Sequence, residues 1–365
     1  MEKFIKKNIN IIIGIFILVQ PLLDLLTGLC IHTLKINFTI GIIVRVIFLL
    51  FIIYVVLFIF KKKKLLVPYL IIGLYFIFYI IGTILYKDGH LFQELQGLVK
   101  TFYFPLMLIS LYSINDEIKI SKMTLFTSLY IYLILIFVPT LLGVGYKSYE
   151  ITKAGTLGFF NSANEISGII SILTPVMFII FFNSKKYIPK IILAIMYLVV
   201  ILMMGTKTPL LTLGITIGMS LLYLLSETIK NKKYKVLIAT IVIVLISSIG
   251  LVLIIPKTNF YKNIDTHLKY LKVEKVTDVF KDKKLIDHFI FSQRLTFLNK
   301  KVNMYHKSNV YQKLFGMGYI KNNKSMKLIE MDYFDILYNH GIIGFIIFSS
   351  IMIFVLIKIL NKELK

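Results

Sequence analysis

Apolar residues in this chain come in unbroken blocks instead of recurring at every third or fourth position. Ile9 to Leu29, Thr39 to Phe60, Leu65 to Tyr86 and Val236 to Ile255 each run roughly 20 residues. That is enough to cross about 30 Å of hydrocarbon at about 1.5 Å per residue. Helices that are apolar all round face lipid or other helices on every side. Weaker blocks of the same kind complete a set of about ten predicted spans: 9–29, 39–60, 65–86, 98–114, 123–144, 164–182, 191–204, 209–228, 236–255 and 333–358. A short amphipathic stretch, 87–97, separates the third from the fourth. Between the ninth and tenth lies the one long segment too polar to insert, 256–331. Its Leu268, Leu271, Val276, Val279, Phe280, Ile286, Phe289 and Ile290 recur at roughly helical spacing among lysines and acids. Amphipathic helices lying on the membrane surface fit that pattern. A loop of this length in a compact protein is more often functional than not. The expected fold is therefore an all-α integral membrane protein, one polytopic domain over 1–365. No internal repeat is visible, which argues against the duplicated transporter folds.

Composition agrees with the pattern. Of 365 residues, 58% are hydrophobic and 16% charged, where a soluble domain carries nearer a quarter charged. The net charge of +24 would suggest a nucleic-acid partner if the lysines formed one patch. They cluster instead between apolar blocks: Lys3, Lys6 and Lys7; Lys61 to Lys64; Lys185, Lys186 and Lys190; Lys230, Lys232, Lys233 and Lys235; Lys358, Lys362 and Lys365. Such clusters set topology and touch anionic lipid headgroups, so no nucleic acid is expected. Placing them all inside puts both termini in the cytoplasm of a multi-pass plasma-membrane protein, with 256–331 outside. Cys30 is the single cysteine and allows no internal disulfide. The first apolar block is too long for a cleavable signal, contains Asp24 and lacks a small-residue cleavage site.

A few polar residues stand out against this background. Arg45 and Arg294 are the only arginines in a chain rich in lysine, so Arg294 is a candidate for a task lysine performs poorly. Bidentate gripping of a phosphate or carboxylate is one; a surface ion pair with an acid such as Asp287 is the plainer reading. Arg45 falls within a span and must be paired or line a polar cavity, with Asp24 as its natural partner. Asn161 and Asn164 read as helix caps at the start of the sixth span, and Glu165 complements its dipole. A helix start at a membrane surface is also an anion site. Lys207, in Gly205-Thr206-Lys207-Thr208-Pro209, is an isolated cation on the expected outer side. Asp332, Asp335 and Asn339 share one face of the last helix, with Glu330 just before it. Carboxylates there could supply a general base opposite Arg294, whereas dipole complementation alone does not account for Asp335 and Asn339. His340 and the other histidines lack metal-ligand spacing, and no CxxC, P-loop or GxGxxG occurs. No metal site and no cofactor is expected.

Four segments, in order, resemble the O-antigen ligase and polymerase superfamily of Wzy-type membrane glycosyltransferases. They are Gly158-Phe159-Phe160-Asn161-Ser162-Ala163-Asn164-Glu165, Gly205-Thr206-Lys207-Thr208-Pro209-Leu210-Leu211, Arg294 followed by Leu314-Phe315-Gly316-Met317-Gly318, and Glu330 to Asp335 running into Gly341-Ile342-Ile343-Gly344. The match covers roughly Gly155 to the C-terminus. Two positions depart from the family pattern: Lys207 stands where arginine is usual, and Glu330 where histidine is frequent. The resemblance implies transfer of a glycan from a polyprenyl-diphosphate carrier to an acceptor sugar on the outer face of the plasma membrane. It implies Arg294, Glu330 and Asp332 as catalytic residues, and Lys207, Asn161, Asn164, Glu165, Asp335 and Asn339 as substrate-binding ones. The reaction would be metal-independent and inverting. Other polysaccharide-assembly proteins are further candidate partners. The competing reading is a flippase for lipid-linked oligosaccharides, which Asp24 and Arg45 would suit.

Overall fold

A computed structural model describes residues 2–36, 40–86, 90–148, 155–183, 187–230, 238, 250, 255–321 and 324–363. Helices α1 (Glu2–His32), α2 (Ile40–Tyr54, continued by a π-helical turn Val55–Ile59), α3 (Leu66–Tyr86), α4 (Leu91–Ser113) and α5 (Lys122–Leu141) follow one another. Next come α6 (Ala163–Asn183), α7 (Tyr187–Met204) and α8 (Lys207–Lys230). The ninth predicted span, 236–255, lies almost wholly outside the described residues. Eight helices among those described are long and apolar enough to cross a membrane, and the 192–204 part of α7 is a shorter apolar helix. The protein is an all-α integral membrane protein.

The long polar segment is folded throughout its described length. It forms short helices α9 (Asn259–Tyr270), α10 (Val276–Val279), α11 (Lys283–Phe289), α12 (Arg294–Lys307) and α13 (Val310–Phe315). A two-residue antiparallel ladder pairs Ile320–Lys321 with Lys324–Ser325. The last helix, α14 (Asp332–Glu363), follows.

Two sequence expectations are corrected. Helix α4 starts at Leu91, not at 98, and takes in most of the amphipathic stretch; the carboxylate of its first turn, Glu94, is buried and hydrogen-bonded. Helix α8 starts at Lys207, not at 209, so Lys207 is its first residue.

The chain divides into two compact units. The first holds 1–8, 42–119 and 273–365, the second 9–41 and 120–272. In the first, α3, α4 and α14 pack together around Tyr75, Tyr79 and Phe102, with α13 laid on α3 and α14. Helix α14 breaks at Gly341, whose φ of 71° and ψ of −179° are not helical. The break frees main-chain carbonyls, and three of them find new donors. Tyr338 O accepts from Met317 N (2.9 Å), Asn339 O from Gly318 N (3.1 Å) and His340 O from the Tyr75 hydroxyl (2.9 Å). Buried carbonyls need such partners. A side chain at Gly316 would strike the carbonyl of Asn339, and one at Gly341 would strike the Leu314–Gly316 backbone. The Leu-Phe-Gly-x-Gly turn and the Gly-x-x-Gly of the last helix are thus two halves of one joint.

In the second unit, α5, α6, α7 and α8 pack around Tyr132, Phe160, Ile170, Tyr197 and Ile201. Asp24 on α1 accepts the Tyr132 hydroxyl at 2.6 Å.

Candidate active site

In the first unit the middle of the long segment meets its far end. Arg294 Nη2 donates to Glu330 Oε2 at 2.9 Å across 36 residues of sequence. Each partner is presented by a left-handed turn that a carboxylate holds from behind. Ser292 (φ 51°) and Gln293 (φ 67°) precede Arg294, and Asp287 on α11 accepts from Leu295 N (2.9 Å), Thr296 N (3.0 Å) and the Thr296 hydroxyl (2.6 Å). That carboxylate caps α12 from the neighbouring helix. Burial pushes it upward, but the Thr296 hydroxyl and the two N–H donors outweigh this and hold it below the usual carboxylate range. Glu330 itself has φ 61°, and Asp335 accepts from the N–H groups of Ile329 (3.0 Å), Glu330 (2.8 Å) and Met331 (3.3 Å). Non-glycine residues in this region cost on the order of 1–3 kcal/mol each and persist where the surroundings over-determine them. Here the two aspartates do so.

The expected partner for Arg294 changes accordingly: Asp287 caps the helix, and Glu330 takes the guanidinium. Asp332 opens α14 two residues after Glu330 and is exposed. Two turns further along α12, Lys301 is 3% exposed and donates to Asn339 Oδ1 at 2.5 Å. Burial pulls its ammonium below the ordinary lysine range, while Asp335 and Glu94 act the other way. Asn339 (1% exposed) is therefore turned to Lys301.

A second polar group supports the joint from α4. Glu94, 1% exposed, accepts from Tyr319 N (2.5 Å), Ile320 N (2.8 Å) and the Tyr79 hydroxyl (2.6 Å). The Tyr319 hydroxyl lies 2.8 Å from His340 Nε2 and 2.9 Å from Thr101 Oγ1. Sequence reasoning passed over Glu94, Lys301 and Tyr319. A lone carboxylate in an apolar helix was the available signal for Glu94; Lys301 had none among so many lysines.

The remaining candidates lie in the second unit. Helix α6 is capped by Ser162, not by Asn161 or Asn164: its Oγ accepts from Glu165 N at 3.4 Å, the half of a capping box its sequence spells. Asn161 offers its carbonyl to His32 Nε2 (3.3 Å), and Asn164 and Glu165 are exposed in the first turn. Phe160 between them and the core is fully buried against Tyr132. Ser167 on α6 donates to Thr206, just before Lys207, at 2.8 Å, and Asn263 of α9 donates to the Gly205 carbonyl at 3.4 Å. The starts of α6 and α8 are therefore tied to each other, with Lys207 exposed at the second. Among the described residues no three metal-binding side chains come together.

Fold and site together define an integral membrane protein whose polar segment is tied by an arginine–carboxylate pair just before its last helix. The family model for O-antigen ligase like membrane proteins matches residues 6–286 and 274–365. The chain belongs to that family, which sets it among membrane glycan ligases and polymerases. No curated protein and no solved structure matches the chain.

Proposed function

We propose that the protein transfers a glycan from a polyprenyl-diphosphate carrier to an acceptor sugar, with 256–331 on the outer face of the plasma membrane and both termini in the cytoplasm. The observation that carries this reading is the Arg294–Glu330 pair, each member raised on a carboxylate-braced turn. The acceptor hydroxyl oxygen attacks the anomeric carbon as the bond to the diphosphate oxygen breaks, inverting the centre. Glu330 or Asp332 takes the hydroxyl proton. The departing diphosphate gains charge, which Arg294 stabilises in place of a metal. Lys207 and the start of α6, with Asn161, Asn164 and Glu165, contribute a second polar surface for substrate. Asp335 and Asn339 hold the site's backbone and Lys301.

The test is to incubate purified protein with a polyprenyl-diphosphate oligosaccharide, with and without chelator, and to follow transferred or lengthened glycan. Transfer that survives chelator is expected; transfer lost to EDTA and restored by magnesium or manganese removes the metal-free mechanism. Topology has its own check. A membrane-impermeant thiol reagent applied to cells should label a cysteine at Ser308 and spare one at Lys62, and the reverse pattern sinks the orientation.

A further inference from the structure

Lys301 has no part in the chemistry just described, yet it is among the costliest residues in the first unit. Its ammonium is buried, and its direct contact is a neutral amide, Asn339 Oδ1. An apolar side chain would fill the same space without the cost of desolvating a charge. Buried polar pairs are best attested as devices that fix register. The position of this one suits that role. Arg294 and Lys301 are seven residues apart on α12 and share a face. Glu330 and Asn339 bracket the start of α14. The two bonds, Arg294–Glu330 and Lys301–Asn339, are rungs between the same two stretches of chain.

The rungs differ in strength. The side chains of Arg294 and Glu330 are 36% and 48% exposed, and exposed ion pairs hold their partners weakly. The apolar contacts of α12, where Phe297, Leu298, Val302 and Tyr305 pack on a cluster of Met317, Ile329 just before α14 and Tyr338 within it, are not directional and tolerate sliding. The buried rung is directional and shielded from water. It also meets α14 just before Gly341, where that helix is pinned by the Met317 and Gly318 N–H groups.

We propose that Lys301 is a positioning residue: its bond to Asn339 sets the register of α12 on α14, and so sets Arg294 against Glu330. The proposal rests on the reading of that pair as the transfer site. Its structural arm is read without activity. In a Cys30→Ser background, cysteines replace Arg294 and Glu330, and a short bifunctional thiol reagent measures how readily they are bridged. Lys301→Met should slow bridging about tenfold, and Asn339→Asp, which keeps an acceptor, should not. Bridging at the parent rate in Lys301→Met overturns the proposal, as does loss of bridging in Asn339→Asp. The kinetic arm uses the native pair. Lys301→Met should lower kcat about tenfold, yet add little to Arg294→Lys, because residues acting through one contact are not additive. A general structural role gives additive losses and overturns the positioning claim. Should Lys301→Met fail to fold, Lys301→Arg, which keeps the donor, must retain bridging for the proposal to stand. If wild-type protein transfers no glycan while bridging still depends on Lys301, the transfer reading fails and the register claim survives.

Discussion

The two units of the protein handle buried polarity differently. Among the described residues the buried charged side chains, Glu94, Asp287 and Lys301, all belong to the first unit. The second buries hydroxyls instead: Ser167 with Thr206 (2.8 Å), Thr140 with Thr156 (3.0 Å) and Thr174 with Tyr197 (2.6 Å). A hydroxyl can turn to donate or accept and is modestly costly to bury, whereas a charge is costly unless its bonds are complete. Two of the first unit's charges meet that condition with three hydrogen bonds each: Glu94 and Asp287. The difference marks where position matters most. Helices in the second unit are tied by bonds that forgive small shifts, while the first fixes a turn, a kink and an arginine.

The largest expected effects break that comparison at its charged end. Glu330→Gln removes the proton acceptor and should lower transfer about 10²- to 10⁴-fold, the usual worth of a positioned base, unless Asp332 is the base. In that case Asp332→Asn shows the large loss and Glu330→Gln a small one. Arg294→Lys keeps charge but loses the planar fork. Charge-assisted bonds to phosphate are worth about 1.5–3 kcal/mol each, so transfer should slow roughly tenfold to a hundredfold at about 1.36 kcal/mol per decade. A surface ion pair without function predicts almost no change. Wild-type rates for this variant at normal membrane abundance would remove Arg294 from the site.

A smaller effect is expected in the second unit. Lys207 is a point charge at a helix start where the family carries the arginine fork. Lys207→Ala should weaken donor use about tenfold or less, and Lys207→Arg should tighten it. Measured KM for the lipid-linked donor separates the two. A loss at Lys207 as deep as that at Glu330 would erase the distinction between the units.

How much of this was legible in the sequence follows from the same physics. Spans were legible because a lipid-facing helix must be apolar on every side, and eight helices long and apolar enough to cross a membrane stand among the described residues. Arg294 and Glu330 were legible because arginine is rare here and the segment around Glu330 matches a family pattern. The start of α4 was not, because Glu94 falls in a stretch that reads as amphipathic, and what buries it are donors from Tyr79, Tyr319 and Ile320, the last two more than 220 positions away. Lys301 was invisible for a related reason: burial is a tertiary fact, and nothing local separates it from its exposed neighbour Lys300. Asp287 is legible as an acid near Arg294 but not as a cap, since a cap usually sits beside its helix in sequence and this one reaches it from α11.

That cap gives the smallest and most local prediction. Asp287 satisfies two N–H groups of the first turn of α12 and the Thr296 hydroxyl. Losing a helix cap costs about 0.5–2 kcal/mol, and the buried N–H groups left behind add to it, so Asp287→Ala should lower the melting temperature of the purified protein by a few degrees. The sign of the pH effect follows from the lowered pKa. A carboxyl whose folded pKa lies below its unfolded value, about 3.9, contributes stability that is fully present above the unfolded pKa. That contribution is lost as pH falls through the folded one. Wild-type protein should therefore lose stability below about pH 4 by a component that Asp287→Asn lacks. The amide keeps one acceptor oxygen and has no charge to neutralise. Melting curves of the two proteins between pH 3 and pH 7 should diverge at neutral pH and converge in acid. Parallel curves across that range would mean that the charge on Asp287 does not hold the turn, and that Arg294 stands on hydrogen-bond geometry alone.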